Sequence, residues 1–258
     1  MAAQQDLIIT RGKTFTLVIR WGTDPIIYKP ITAIQQTAPV RMTVTGHGVV
    51  DGWPAAVSNV KGMTEINAEA NAVRDSDFHP VTVIDTNTIE INDINAAGFK
   101  AYTSGGVIQF NSPVDLTGYK ARDTIKKKVG KNMLICTVAG TSGSVLPTGP
   151  MKDGTTLTWA ATALPATKQW FPGTAYSLND VIDTTALLFL STENGGIAID
   201  NAKKTITITI RAYDSDAATW NQGIHELELV KPGATIPDDV VTAIIPVSKV
   251  FIKDEVTN

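Results

Sequence analysis

Residues 204–211 read Lys-Thr-Ile-Thr-Ile-Thr-Ile-Arg, with isoleucine at every second position and threonine between. Side chains two apart share one face of an extended strand, so Ile206, Ile208 and Ile210 can be buried together while Thr207 and Thr209 face the other way. A helix would scatter the same isoleucines around its circumference. Residues 13–21 repeat the pattern, with Phe15, Leu17, Ile19 and Trp21 on one face, and residues 224–230 and 240–252 follow it too. β-branched residues at period two predict half-buried antiparallel strands.

Helical signals are few. Asp214-Ser215-Asp216 ahead of Ala217, Ala218 and Trp220 predicts a single turn, capped by Asp or Ser and stopped at Gly223. Residues 64–74, with Glu65, Ala68, Glu69, Ala70 and Ala72, tolerate a short helix. Neither is long enough to cross over between parallel strands. Many short strands separated by Gly, Pro, Asn and Asp therefore predict an all-β chain with very little helix, built from sandwiches or barrels.

A chain of 258 residues that is 43% hydrophobic can bury one large core or several small ones. Its net charge of −3 gives no general attraction to nucleic acid or anionic lipid. The single cysteine, Cys136, excludes an intrachain disulfide and a four-cysteine zinc site. That usage suits a reducing cytoplasm. The first residues have neither a basic nor an apolar leader character, and no run of 18 apolar residues occurs, so neither secretion nor a membrane span is expected.

Three groups of motifs carry resemblances. Thr45-Gly46-His47-Gly48, Asp51-Gly52-Trp53, Val60-Lys61-Gly62-Met63, Phe78-His79-Pro80-Val81, Thr86-Asn87 and Tyr102-Thr103-Ser104-Gly105-Gly106 fall within residues 41–106. This stretch resembles the small β-barrel module named after the first catalytic-cysteine half-domain of ubiquitin-activating enzymes, which recurs in phage virion proteins. Gly48 and Gly52 fit tight turns, Gly62-Met63 a strand break, Thr86-Asn87 a hairpin turn, and the glycine pair the end of the last strand. An activating enzyme also needs a nucleotide-binding domain and a catalytic cysteine. Cys136 lies outside the match and no G-x-G-x-x-G follows a strand, so the resemblance implies architecture without that activity.

Residues 6–19, 115–127 and 195–230 resemble an immunoglobulin-like domain of phage tail and baseplate proteins. The match is interrupted by residues 35–112 and about 130–186, and a Pro-rich loop at 231–239 replaces a tight turn. Residues 135–159 (Ile135-Cys136-Thr137, Gly140-Thr141-Ser142-Gly143, Asp153-Gly154-Thr155, Trp159) and 170–182 (Trp170, Thr174-Ala175-Tyr176, Asn179-Asp180) are similar, in swapped order, to a small Trp-containing β module of phage tail and fibre proteins. Together these imply a split Ig-like β-sandwich with two inserted small β modules. Its expected pieces are 1–34, 113–129 and 187–258, with a barrel at 35–112 and a second module at 130–186.

Candidate chemistry is sparse. His47, His79 and His225 have no second histidine at metal-binding spacing, and the bland reading is a turn or strand histidine. Asp75-Ser76-Asp77, Asp214-Ser215-Asp216 and Asp238-Asp239 lack the continuation of a calcium loop and read as caps or turns. Gly140-Thr-Ser-Gly143 has no following Lys and no helix, so it reads as a loop tip, within a glycine- and proline-rich stretch, 139–154, expected to be exposed. Arg122, Lys126, Lys127, Lys128 and Lys131 form the one basic cluster. They can meet phosphate, or they can guard an exposed strand against edge pairing, and the latter is preferred. Trp159, Trp170 and Tyr176 are either module core, the preferred reading, or an aromatic platform for a glycan.

The expected function is a non-enzymatic structural component of a tailed-bacteriophage virion, in the tail, collar or baseplate. It needs no metal or cofactor and acts by assembly with itself and other virion proteins after synthesis in the bacterial cytoplasm. The rival is a receptor- or glycan-binding virion protein using Trp159, Trp170 and Tyr176.

Overall fold

The computed structural model describes residues 5–69, 73–164, 166–233 and 239–254. The fold is all-β, with strands numbered β1 to β21 in chain order, one short helix and two single 3-10 turns among the described residues. The chain divides into two units. One comprises Met1–Ile19, Thr117–Ile199 and Ile206–Asn258, the other Arg20–Leu116 and Asp200–Thr205.

The first unit contains a sandwich-like pair of sheets. β1 (Leu7–Thr10), β21 (Val240–Lys253), β20 (Gln222–Lys231), β10 (Lys120–Lys126) and β17 (Ala186–Ser191) form a five-stranded sheet in that order. β18 (Ile197–Asp200), β19 (Thr205–Ile210) and β2 (Phe15–Ile19) form a three-stranded one. The isoleucine repeat is β19. It pairs antiparallel with β2, Ile208 opposite Leu17, and Ile206, Ile208 and Ile210 are buried. Leu7, Ile9, Ile125, Leu227, Leu229 and Val250 make the buried face of the larger sheet. Burying such a side chain contributes about 1.5–3 kcal/mol.

β10 lies between β20 and β17, paired on both sides. The basic cluster therefore does not guard an exposed edge. Arg122 and Lys126 occupy the outward side of an interior strand, and Lys127, Lys128 and Lys131 lie exposed beyond its end. The short helix, α1 (Ala212–Asp216), contains the Asp-Ser-Asp motif instead of being capped by it, and Arg211 is its N-cap.

Within residues 130–186 the chain builds sheets of its own. β13 (Met151–Lys152), β14 (Thr158–Ala161), β11 (Met133–Val138) and β16 (Val181–Asp183) form one, and β12 (Gly140–Thr141) and β15 (Ala175–Tyr176) another. Leu134, Cys136, Leu157, Trp159, Tyr176 and Ile182 are their shared core. The glycine-rich stretch 139–154 is only partly the exposed loop expected of it. Ser142 and Asp153 are buried at its two ends, and Val145 projects between them.

The second unit is a closed barrel. β3 (Gly22–Pro30), β9 (Ser104–Pro113), β6 (Pro54–Lys61), β7 (His79–Asp85), β8 (Thr88–Ile91), β5 (Val40–Thr43) and β4 (Ala33–Gln35) are neighbours in that order. The outermost strands, β3 and β4, are consecutive in sequence. Between them the Ile31 amide donates to the Gly106 carbonyl at 3.0 Å and the Thr32 amide to the Thr43 carbonyl at 2.9 Å. One bent segment thus joins both ends of the sheet and leaves a core of Trp53, Phe110, Met42, Met63, Ile89 and Ile108.

β3 and β4 place residues 20–34 in the barrel, so the boundary expected after residue 34 falls after Ile19. The glycine pair begins β9 rather than ending a strand. Gly106 has φ +94°, and a Cβ there would meet Val60 Cγ2 at 2.5 Å, which requires glycine. Only Thr64–Ile66 of the helix-tolerant stretch 64–74 coils, as a 3-10 turn, and Ala70 and Ala72 lie outside the described residues.

One polar pair is buried in the sandwich. His225 Nδ1 donates to Asp123 Oδ2 at 2.8 Å and Nε2 to the Gln5 carbonyl at 2.8 Å, and both side chains are wholly buried. Both ring nitrogens face oxygen acceptors, an arrangement that stabilises the protonated ring. Burial alone lowers its pKa, but the hydrogen bond and charge of Asp123, the Gln5 carbonyl and Asp6 outweigh it and raise it above the usual 6.5. The stability this gives is complete below the unfolded-state pKa and is lost as pH rises through the higher folded-state value. The urea midpoint is expected to fall between neutral and alkaline pH through this group, and the paired substitution Asp123→Asn with His225→Gln to remove that component. An unchanged pH profile in the double variant rejects the assignment.

Candidate functional site

The outward side of the five-stranded sheet carries the residues that alternate with its core. On β10 these are Arg122, Thr124 and Lys126, and on β20 Ile224, Glu226 and Glu228. Over them lie Val129, Gly130, Lys131 and Met133 from the chain leaving β10, with Ala166 and Asp183 from the inserted module. The result is a cleft of about 190 Å³. The module follows β10 and ends at β17, and these are neighbouring strands, so its base must sit at the side of this sheet.

Two ion pairs fix the cleft. Arg122 Nε donates to Glu228 Oε2 at 2.6 Å across β10 and β20, whose register places the two residues opposite each other. Lys126 Nζ donates to Asp183 Oδ2 at 2.5 Å, joining the sheet to the end of β16. Asp183 Oδ1 also accepts from the Thr185 amide at 2.9 Å, the Thr185 hydroxyl at 2.7 Å and the Asn132 amide at 3.3 Å. Burial pushes the Asp183 carboxyl up, but Lys126 and Thr185 outweigh it and hold it below the usual carboxylate range. Its charge is committed to holding the module in place.

The volume decides what the cleft can hold. Cofactor and drug-sized sites run to about 300–1,000 Å³, whereas a cavity of about 150 Å³ accepts a single benzene ring. With Val129, Met133, Ala166, Ile224 and Val247 among its walls, this cleft fits an apolar side chain presented by another protein.

The other candidates are accounted for by structure. Trp159 and Tyr176 are 1% and 2% exposed, with ring centroids 5.1 Å apart and edge-on. The Tyr176 hydroxyl accepts from the Phe171 amide and donates to the Gln169 carbonyl, and burial pushes its pKa up to about 12. Trp170 packs against the same core. Trp159 and Tyr176 therefore form the middle of the module, with Trp170 partly buried beside them. Cys136 is fully buried, and burial raises its pKa, so the thiol is inert.

His47 Nε2 donates to the Asp85 carbonyl and Nδ1 accepts from the Val49 amide, so it is a turn histidine held by backbone. His79 pairs with Asp93 at 2.9 Å. Asp77 accepts the Arg74 amide, and Asp153 accepts the Gly143 amide in the Gly140–Gly143 turn. Asp239 accepts the Gly233 amide, while Asp238 lies outside the described residues. Among the described residues no cluster of His, Cys, Asp and Glu is placed to hold a metal ion, and no helix is long and apolar enough to cross a membrane.

Sequence reading found Arg122 and Lys126 but not Glu228, Asp183, Met133 or Val247. Their partners lie 106 and 57 positions away, and no local pattern announces such pairs. The substitution Lys126→Met is expected to cost about 3 kcal/mol, because it leaves Asp183 buried without its cation. Chemical denaturation measures this, and a loss no larger than that of an exposed lysine on the same strand contradicts the role given to the pair. No protein-family model matches this chain, and no curated protein matches it.

Proposed function

We propose that this protein is a structural component of a tailed-bacteriophage virion, acting through protein–protein assembly. The observation that carries the assembly reading is a set of exposed apolar side chains set among the charges of the outward face of the five-stranded sheet. Ile8 and Val247 project from β1 and β21 and are 55% and 41% exposed, and Val129 at the cleft is 75% exposed. Val240 and Val241 add exposed valines at the start of β21. Apolar side chains beside a side-chain-sized cleft are the composition of a protein interface, with the rim charges of Lys249 and Lys253 around them.

The virion assignment rests on the motif resemblances in residues 6–19, 41–106, 115–127, 135–159, 170–182 and 195–230. Insertion of modules into a β-sandwich adds contact area without altering the sandwich core. Particle proteins act in many copies, and symmetric copies reuse one self-complementary or head-to-tail surface.

Size-exclusion chromatography with light scattering is expected to show closed oligomers of the purified chain, alone or with a purified particle component. Val247→Glu is expected to weaken that association at least about tenfold, since it buries an unpaired charge in the interface. An antibody against the chain should decorate purified particles. A chain that stays monomeric, joins no particle component and is absent from particles overturns the proposal.

A further inference from the structure

The barrel carries a second concavity that differs in chemistry from the cleft on the sandwich. Along β9, Ile108 and Phe110 point into the barrel and are fully buried, so Val107, Gln109 and Asn111 point out. The register sets Tyr28 of β3 opposite Gln109 and Ile26 opposite Asn111. Above this outward face the chain between β6 and β7 returns as a wall. The Ala68 amide donates to the Val57 carbonyl, and the Asn67 side chain bonds both the amide and the carbonyl of Val60 at 2.8 and 3.0 Å.

Wall and sheet enclose a groove of about 780 Å³. A recess of about 260 Å³, lined by Arg20 and Trp53, adjoins it and shares Asp75, Phe78 and Asn111 with it. This is within the size of ligand sites, about 300–1,000 Å³ for the main groove. Asn59, on β6 beside the groove, adopts φ +61°.

Two polar side chains at the groove and its recess keep donors free. Gln109 is only 7% exposed, yet its side-chain amide bonds to no described residue. Arg20 lies over Gly52, where a Cβ would stand 2.3 Å from its Nη2, and its Nε is buried with no hydrogen-bond partner. No carboxylate among the described residues forms an ion pair with Arg20. A buried donor left unmade costs about 1–3 kcal/mol, so Arg20 Nε points to a partner that enters the recess, while Gln109 offers its amide to the groove.

We infer that the groove binds a hydroxyl-rich saccharide. Amides, a guanidinium and a carboxylate can each engage two neighbouring hydroxyls, and Gln109, Asn111, Asn59, Arg20 and Asp75 supply all three types. The Tyr28 ring, 58% exposed, offers a flat face to the C–H side of a sugar ring. A nucleic acid does not fit, because Asp75 and Glu69 outnumber the one cation, Arg20, and repel a phosphate backbone. This reading is independent of the assembly surface, which lies on other strands.

The test is a printed array of neutral and acidic oligosaccharides probed with the full chain, a random-peptide array in parallel, and titration calorimetry of the strongest hit. Saturable binding to an oligosaccharide is expected. Tyr28→Ala and Asn111→Ala, both at exposed positions, should each weaken it about tenfold with the thermal melt unchanged. Absence of saturable glycan binding, binding of peptides alone, or full affinity in both variants overturns the inference.

Discussion

Everything in this fold depends on one strand that the chain supplies from its middle. β10 fills the gap between β20 and β17, so the five-stranded sheet cannot form until residues 120–126 return to it from a long excursion. Two excursions flank it, and each is zipped where it leaves and where it returns. In the barrel, Gly22 pairs with Pro113 and the Val114 amide donates to the Trp21 carbonyl. In the module, Met133 pairs with Asp183 and the Thr184 amide donates to the Asn132 carbonyl. Each insert therefore has its ends joined by its own backbone hydrogen bonds. Doubling the length of an unstructured loop costs only about 0.6 kcal/mol, and a folded insert with paired ends escapes most of even that.

The same arrangement explains which features were legible in the sequence. β2, β19, β20 and β21 follow period two and were visible directly, as was the Thr86-Asn87 turn between β7 and β8. β3 was not. Its sequence, Gly-Thr-Asp-Pro-Ile-Ile-Tyr-Lys-Pro, carries two prolines that argue against a strand. It pairs with β9 alone, and the register shifts between Thr23 and Ile26, where Pro25 would otherwise have to donate a ladder bond. Missing β3 moved the barrel boundary by fifteen residues, from after Ile34 to after Ile19.

Charges were misread for a related reason. Arg122 and Lys126 look like solvated strand lysines and arginines when only their neighbours in sequence are considered. Their carboxylate partners come from β20 and β16, which local pattern cannot connect to β10. The aromatic residues were easier, since Trp159 alternates with Leu157 and both are buried. Gln109 sits at the other extreme. It alternates correctly with Ile108 and Phe110 and so reads as solvent-facing, and only the wall folded over it makes it 7% exposed.

That wall gives the barrel a division of labour along a single strand. Ile108 and Phe110 hold the core, whereas Gln109 and Asn111, one position out of phase, line the groove. Changing the outward pair leaves the inward packing intact, so groove chemistry can vary without loss of the fold. In the free protein, water reaching the groove satisfies amides such as Gln109 at little cost. A hydroxyl replaces such a water with the same donor and acceptor capacity, while an apolar group would strand the amide. The groove thus discriminates by hydrogen-bond replacement, and the sandwich cleft, with Arg122 and Lys126 already paired to Glu228 and Asp183, discriminates by apolar fit.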